Sequence, residues 1–167
     1  MEPRDGTAVC PTCGHTVTAT RQPLFIITGA SGSGKTAILS PLARELGRDC
    51  LVFDIDWLID PFTIQAADRP LDWAAIRAAW LAIAHAVAQN GRPTALLGPL
   101  APFQFEGMPP SRWVLRMHFL LLDCQDEVRR QRLEARPPWR ARDFAEQLAW
   151  ASWLRGHIDD NIDTNST

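Results

Sequence analysis

The chain has 167 residues, of which 46% are hydrophobic, and a formal net charge of −2 at pH 7. This length and apolar content suit one domain with a buried core, and the slight negative charge argues against binding nucleic acids by bulk electrostatic attraction. No apolar run is long enough to span a membrane, and the N-terminus has no signal-peptide core. We expect a cytoplasmic protein, a monomer or a homodimer, without a nucleic-acid or membrane partner.

Residues 1–22 form a leader that contains Cys10 and Cys13 in a Cys-x-x-Cys spacing, followed by His15. Two thiolates on a tight turn are typical of one half of a Zn²⁺ site, and His15 is a candidate third ligand. The sequence has no second Cys-x-x-Cys, so the fourth ligand would come from another chain or from water. A bound Zn²⁺ and an unmetallated, partly disordered leader are equally open hypotheses.

A predicted buried strand over residues 24–28 leads into a glycine-rich segment and then into a helical pattern over residues 36–46. The segment Gly29-Ala30-Ser31-Gly32-Ser33-Gly34-Lys35-Thr36 fills every fixed position of the phosphate-binding loop motif. Lys35 is the only lysine of the chain, and its compact ammonium suits the space between the β- and γ-phosphates better than a guanidinium. The Thr36 hydroxyl is a candidate Mg²⁺ ligand. The predicted phosphate-binding residues are Gly29, Ser31, Gly32, Ser33, Gly34, Lys35 and Thr36.

The second predicted strand, residues 49–54, ends in the carboxylate pair Asp54 and Asp56. Residues two apart lie on the same face of a strand if the strand continues that far. Asp54, closer to the sheet, is a candidate Mg²⁺ ligand through the metal's water shell. Asp56 is a candidate base that accepts the proton of an attacking hydroxyl. The alternative is that Asp56 caps a helix that begins at Trp57.

Asp72 is predicted to cap the next helix, whose apolar positions include Trp73 and Trp80 at helical spacing. We interpret these tryptophans as core residues rather than as a ligand-binding platform. A third strand over residues 94–97 then leads into Gly98.

The remaining predicted elements alternate in the same way: a proline-broken loop at 101–111, a strand at 117–122, helices at 125–135 and 143–157, and a short strand at 161–163. Strands that alternate with helices predict an α/β fold, with a parallel sheet covered by helices on both faces. In such folds the ligand crevice lies beyond the carboxyl ends of the strands.

Two arginines one helical turn apart, Arg132 and Arg136, end the helix that should approach the nucleotide. One would stack on the base and the other would contact phosphate oxygens. Arg140, beyond a proline pair, would reach the site when its loop closes. We assign no role to Arg129 and Arg130, since arginine clusters commonly lie on solvated faces.

Over about residues 23–167 the sequence resembles the small P-loop kinases of the nucleoside-monophosphate-kinase type. The Phe53-Asp54-Ile55-Asp56 segment resembles that of shikimate kinases, and residues 51–59 resemble the equivalent stretch of chloramphenicol phosphotransferases. The Arg132/Arg136 spacing is similar to the arginine pair that enters the lid of adenylate kinases. The resemblance implies a five-stranded P-loop sheet of order 2-3-1-4-5, a short lid at about 136–142, and Asp163 close to the adenine.

The sequence departs from these families at two motifs. It has Gly98-Pro99-Leu100 where shikimate kinases have three glycines, and it lacks the Asp-Gly-Phe-Pro-Arg element of adenylate kinases. Shikimate itself and a standard nucleoside monophosphate are therefore disfavoured as acceptors.

We interpret the chain as a kinase that uses ATP and Mg²⁺ to phosphorylate a hydroxyl of a small molecule. The acceptor pocket is expected at the segment that follows Asp56, including Trp57, at the loop 103–108 and at Gly98. One alternative is a nucleoside or nucleotide kinase. Another is a nucleotide-binding adaptor protein whose leader docks a partner through Cys10 and Cys13.

Overall fold

The computed structural model describes residues 2–4, 7–59, 71–137 and 143–163. Its regular elements fall into a small N-terminal antiparallel sheet and a larger α/β layer structure. The strands are β1 (Glu2–Arg4), β2 (Thr7–Val9), β3 (Thr16–Thr18), β4 (Leu24–Thr28), β5 (Leu51–Asp54), β6 (Thr94–Leu97), β7 (Met117–Asp123) and β8 (Asn161–Asp163). The helices are α1 (Lys35–Leu46), α2 (Trp73–Ala88), α3 (Asp126–Glu134) and α4 (Phe144–Arg155).

The leader folds into a three-stranded antiparallel sheet of order β1-β2-β3. Thr7 pairs with Thr18 in its β2–β3 hairpin. The sheet is connected to α2 by Gln89, whose side-chain amide donates to the carbonyl of Thr20 (2.9 Å) and accepts from its N–H (3.2 Å). Sequence patterns did not predict these three strands, because each is only three residues long and has little apolar periodicity.

The main sheet has five strands in the order β5-β6-β4-β7-β8, and every pairing is parallel. The predicted α/β fold with a parallel sheet and flanking helices is confirmed. The expected strand order 2-3-1-4-5 was numbered from the first strand after the leader. Numbered along the whole chain, in which the leader contributes β1, β2 and β3, the strand order of the main sheet is 5-6-4-7-8. All carboxyl ends meet at one edge, since parallel strands share a direction.

The central strand β4 is covered on both faces, which explains its continuous apolar sequence. Leu24 and Ile26 pack in one cluster with the α2 residues Ile76 and Trp80. Ile27 packs in the opposite cluster, against the apolar residues of α1. The α4 residue Leu154 adds a third cluster against β7.

Helix α2 begins as predicted at a capping aspartate, but only part of its predicted stripe is buried. The Asp72 carboxylate accepts from the N–H of Ala75 (2.9 Å). Trp80 is buried in the core, whereas Trp73 is exposed at the N-terminal end of the helix. The interpretation of Trp73 as a core residue is therefore wrong, because Trp73 is the first residue of α2 and its side chain does not join the cluster that contains Trp80.

Within the described part of the chain, no helix combines the length and the apolar character that crossing a membrane requires.

Leucine-to-alanine substitutions at two sites should separate the core from the surface. Leu96 in β6 is 1% exposed and Leu115 is 61% exposed. We expect Leu96→Ala to lower the free energy of unfolding by about 2–5 kcal/mol, since it leaves a cavity between packed layers. Leu115→Ala should change it by less than about 0.5 kcal/mol. Urea unfolding monitored by circular dichroism measures both, and equal effects would contradict the assignment of the core.

Candidate active site

A cavity of about 340 Å³ lies at the carboxyl ends of β4, β5 and β6. We call it the phosphate pocket. Its lining combines the glycine-rich loop with residues from three other segments. These residues are Ser31, Gly32, Ser33, Gly34, Lys35, Thr36, Ala37, Asp54, Ile55, Asp56, Gly98, Pro99, Arg132 and Arg136.

The conformation of the loop depends on glycine at three positions. Gly32 (φ 84°) and Gly34 (φ 99°) adopt left-handed backbone conformations that side chains disfavour. A Cβ at Gly29 would lie 2.3 Å from the carbonyl oxygen of Leu122, so only glycine fits there. Helix α1 then begins at Lys35 without a side-chain cap on Gly34. Its first N–H groups and the positive end of its dipole are thus available to an anion.

Lys35 folds back over the loop. Its Nζ donates to the carbonyl oxygens of Gly29 (2.5 Å) and Ala30 (3.1 Å) and to the Ser33 hydroxyl (3.4 Å). Burial, together with the positive charges of Arg129 and Arg136, lowers the pKa of Lys35 to about 8. The pocket thus concentrates positive charge, which an anionic ligand would stabilise.

The two aspartates line the phosphate pocket, but not as neighbours on one strand face. Strand β5 ends at Asp54, and Asp56 lies in the 3₁₀ turn Ile55–Leu58 that follows. The condition for a shared strand face, that the strand continues to Asp56, is therefore not met, because the chain turns directly after Asp54. The alternative role of Asp56 as a helix cap stays a prediction. Asp54 is the capping residue, and its carboxylate accepts from the N–H of Asp56 (3.0 Å).

Gly98 brings the end of β6 close to this turn. A Cβ on Gly98 would lie 2.8 Å from Cγ2 of Ile55. The N–H of Gly98 donates to the carbonyl of Ile27 in β4 (3.2 Å). Gly98 therefore allows three strand ends to converge next to Asp54.

Arg132 and Arg136 both line the phosphate pocket, as their helical spacing predicted. Arg132 donates to the carbonyl of Gly32 (3.2 Å), so it also supports the loop. Arg140 lies outside the described residues. Asp163 lies on the edge strand β8, where its backbone pairs with Asp123.

The sequence analysis missed Arg129, which the structure places beneath the loop. Its side chain is 0% exposed, donates to the carbonyl of Ser31 (2.9 Å) and pairs with Asp123 (2.5 Å). The same carboxylate binds Arg155 (2.5 Å). Arg129 lies one helical turn before the buried Leu133, and this spacing was the one available signal that it faces inward.

Two further residues fix the outer part of the loop. The Gln147 side-chain oxygen in α4 accepts from the N–H of Ser31 (2.8 Å). The Cys124 thiol lies 3.7 Å from the carbonyl of Gly32. Neither contact was predicted, since both join residues about a hundred positions apart in the sequence.

The Cys10 and Cys13 thiols lie at the turn of the leader hairpin, which is closed by a bond from the Cys10 N–H to the carbonyl of His15 (2.9 Å). Backbone N–H groups of Cys13 and Thr12 lower the pKa of the Cys10 thiol. Among the described residues, however, no three His, Cys, Asp or Glu side chains gather as a metal site. The zinc hypothesis is therefore not supported, because two thiols are half of a closed tetrahedral set.

The phosphate pocket has suitable donors for Mg²⁺. The Thr36 hydroxyl stands in the first turn of α1 and the Asp54 carboxylate lines the same cavity. Mg²⁺ prefers a few oxygen ligands of this kind together with water and phosphate oxygens. The donor set therefore fits the ion.

Solved structures with a similar architecture include several kinases. They include a sugar kinase from Janibacter sp. HTCC2649 (26% identity, TM-score 0.56, covering 87% of this chain and 85% of that one). They also include a gluconokinase from Sinorhizobium meliloti 1021 (19% identity, TM-score 0.57, 89% and 86%) and a shikimate kinase from Acinetobacter baumannii in complex with shikimate (18% identity, TM-score 0.54, 89% and 87%). The chain thus has the fold of the small P-loop kinases.

No protein-family model matches the sequence, and no curated protein matches it. The similarity to chloramphenicol phosphotransferases stays a prediction.

The low pKa of Lys35 predicts a pH dependence of ATP binding. Below pH 8 the ammonium is charged, and above it the protonated fraction falls about tenfold per pH unit. Bound phosphates stabilise the charged form, so binding should take up a proton at high pH and the affinity should fall between pH 8 and pH 10. Calorimetric titration with Mg·AMP-PNP from pH 7 to pH 10 measures this effect. Lys35→Met should bind weakly at every pH, and an identical pH profile in that variant would exclude Lys35 as the titrating group.

Proposed function

We propose that this protein is a kinase that uses ATP and Mg²⁺ to phosphorylate a hydroxyl group of a small molecule. One observation carries the proposal: the phosphate pocket holds Lys35 and the loop N–H groups together with the carboxylates of Asp54 and Asp56. The first set suits a triphosphate and the second suits a metal ion and an attacking hydroxyl. The shared fold with the sugar kinase and the gluconokinase supports the same reaction class.

Each side of the pocket has its own binding role in this proposal. The loop N–H groups and Lys35 bind the β- and γ-phosphates, and Arg132 and Arg136 contact their outer oxygens. Thr36 and Asp54 would hold Mg²⁺, which supplies charge neutralisation at the phosphates. Because Lys35 already bonds to loop carbonyls, it is positioned before the nucleotide arrives.

Asp56 would act as the base. It accepts the proton of the acceptor hydroxyl while the hydroxyl oxygen forms a bond to the γ-phosphorus. The bond from the γ-phosphorus to the β–γ bridging oxygen breaks, and ADP leaves with that electron pair. The proton then passes from Asp56 to solvent. Arg136 stabilises the negative charge that develops on the transferred phosphoryl group.

Other parts of the sequence interpretation belong to the same proposal. Residues 136–142 would form the lid that brings Arg140 to the phosphates, and Asp163 would lie close to the adenine. The leader 1–22 and the kinase unit 23–167 would be the two parts of the chain.

Two rival functions are separated by one assay, the release of ADP in the presence of candidate acceptors. A nucleoside or nucleotide kinase would release ADP only with nucleosides or nucleotides. An adaptor protein that docks a partner through its leader would show no acceptor-dependent release. The proposed kinase requires release that depends on a non-nucleotide alcohol.

Replacing Asp56 should separate chemistry from binding. Asp56→Asn removes the base but keeps the shape, so we expect single-turnover phosphoryl transfer to fall by about 10²–10⁴-fold. The affinity for Mg·AMP-PNP should stay the same. The matched control is Asp49→Asn, which alters an exposed carboxylate before β5 that lines no part of the pocket. Transfer at the wild-type rate in Asp56→Asn would remove Asp56 from the mechanism.

Replacing Lys35 should affect both nucleotide binding and phosphoryl transfer. In Lys35→Ala the phosphate charge lacks its ammonium partner, so turnover should fall by at least about 10²-fold and nucleotide affinity should weaken. Steady-state ADP release and calorimetry measure the two effects. Normal turnover in this variant would refute the phosphate assignment.

A further inference from the structure

A second cavity, of about 890 Å³, adjoins the phosphate pocket. We call it the aromatic pocket. Ser31 of the loop and Pro99 after β6 line both cavities. A molecule in the aromatic pocket therefore lies directly beside the site that we assign to the phosphates.

Four large aromatic side chains form the walls of the aromatic pocket: Trp73, Phe103, Trp150 and Trp153. Trp73 and Phe103 are 41% and 50% exposed, which is unusual for such large apolar groups. They come from α2 and from the turn after β6, whereas the other two come from α4. Exposed rings from three segments that face one cavity indicate a ligand with an apolar face.

The rings of the far wall are held in place before any ligand binds. Trp150 and Trp153 are stacked, with ring centroids 5.1 Å apart and an angle of 4°. Phe103 meets Trp153 edge to face, with ring centroids 5.3 Å apart. The His157 ring also stacks on Trp153, with centroids 3.9 Å apart. Since these contacts fix the ring planes, a flat or ring-shaped ligand can bind with little loss of side-chain freedom.

The charge of the aromatic pocket is opposite to that of the phosphate pocket. The cations Lys35, Arg132 and Arg136 all lie on the phosphate side. Among the described residues, the aromatic pocket has no Arg, Lys or His in its lining, and its one charged side chain is Glu146. Glu146 would repel a carboxylate, phosphate or sulfate placed there, and none of the described lining residues offers such a group a cationic partner.

We propose that the aromatic pocket binds the acceptor, and that the acceptor is a hydroxylated ring compound without an anionic group. This inference rests on the proposed function. The ring stacks on the tryptophans, and the hydroxyl points past Pro99 towards Asp56. That hydroxyl then attacks the γ-phosphorus, ADP leaves, and Asp56 takes the proton. The charge of the pocket disfavours anionic acceptors such as shikimate, gluconate or a nucleotide.

The test uses matched ring compounds that differ in one anionic group. The pairs are phenyl β-glucoside with phenyl β-glucuronide, and methyl shikimate with shikimate. Binding is measured by calorimetry with saturating Mg·AMP-PNP, and transfer by ADP release with ATP. We expect at least one neutral member to bind and to bind at least about tenfold more tightly than its anionic partner.

Variants connect this preference to the pocket. Trp150→Ala should weaken binding of the neutral ring by about tenfold, and the milder Phe103→Ser should weaken it severalfold, with the affinity for Mg·AMP-PNP unchanged. Glu146→Gln should reduce the discrimination against the anionic partner and leave neutral binding intact. Trp113→Ala is the matched control, since Trp113 packs on His85 and lines neither cavity.

Three results would overturn the inference: no neutral ring binds, an anionic member binds better than its neutral partner, or both pocket variants bind the ring normally. The proposed function fails separately. Neutral rings that bind to the pocket without ever stimulating ADP release would refute the kinase and leave the pocket assignment standing. Phosphorylation of anionic acceptors alone would refute the pocket assignment and leave the kinase standing.

Discussion

A phosphate-binding loop must turn its N–H groups towards the ligand, and its carbonyl groups then face the protein and need donors of their own. Lys35 bonds to the carbonyls of Gly29 and Ala30, Arg129 to that of Ser31, and Arg132 to that of Gly32. The cations around the loop therefore stabilise its backbone before they meet a nucleotide. The rest of the site depends on this arrangement, because it fixes where the phosphates can lie.

The same arrangement concentrates cationic side chains at the carboxyl edge of the sheet. Arg129 is fully buried, and its pairing with Asp123, which also binds Arg155, stabilises it. A buried ion pair of this kind contributes more to a defined geometry than to stability, since desolvation offsets much of its attraction. Burial and nearby cations keep the pKa of Lys35 low, and a bound anion would stabilise its charged form.

The two cavities at the carboxyl edge of the sheet differ in the chemical groups that line them. One side presents N–H groups, cations and two carboxylates, and the other presents aromatic rings and Glu146. The loop joins them through Ser31, whose N–H donates to the Gln147 side-chain oxygen in α4 and whose carbonyl accepts from Arg129. A change in the position of α4 would therefore move a residue that lines both cavities.

The sequence alone determined the features that depend on short-range pattern. A buried strand, a glycine-rich turn and a helix in succession predicted a phosphate-binding loop around Lys35. The alternation of strands and helices predicted the α/β class and placed Asp54 at the sheet edge. Tertiary structure decided the inward position of Arg129, the exposure of Trp73 and the bond from Gln147 to the loop. These depend on contacts between segments far apart in the chain, and local periodicity carries no information about which distant surface an arginine or a tryptophan will meet.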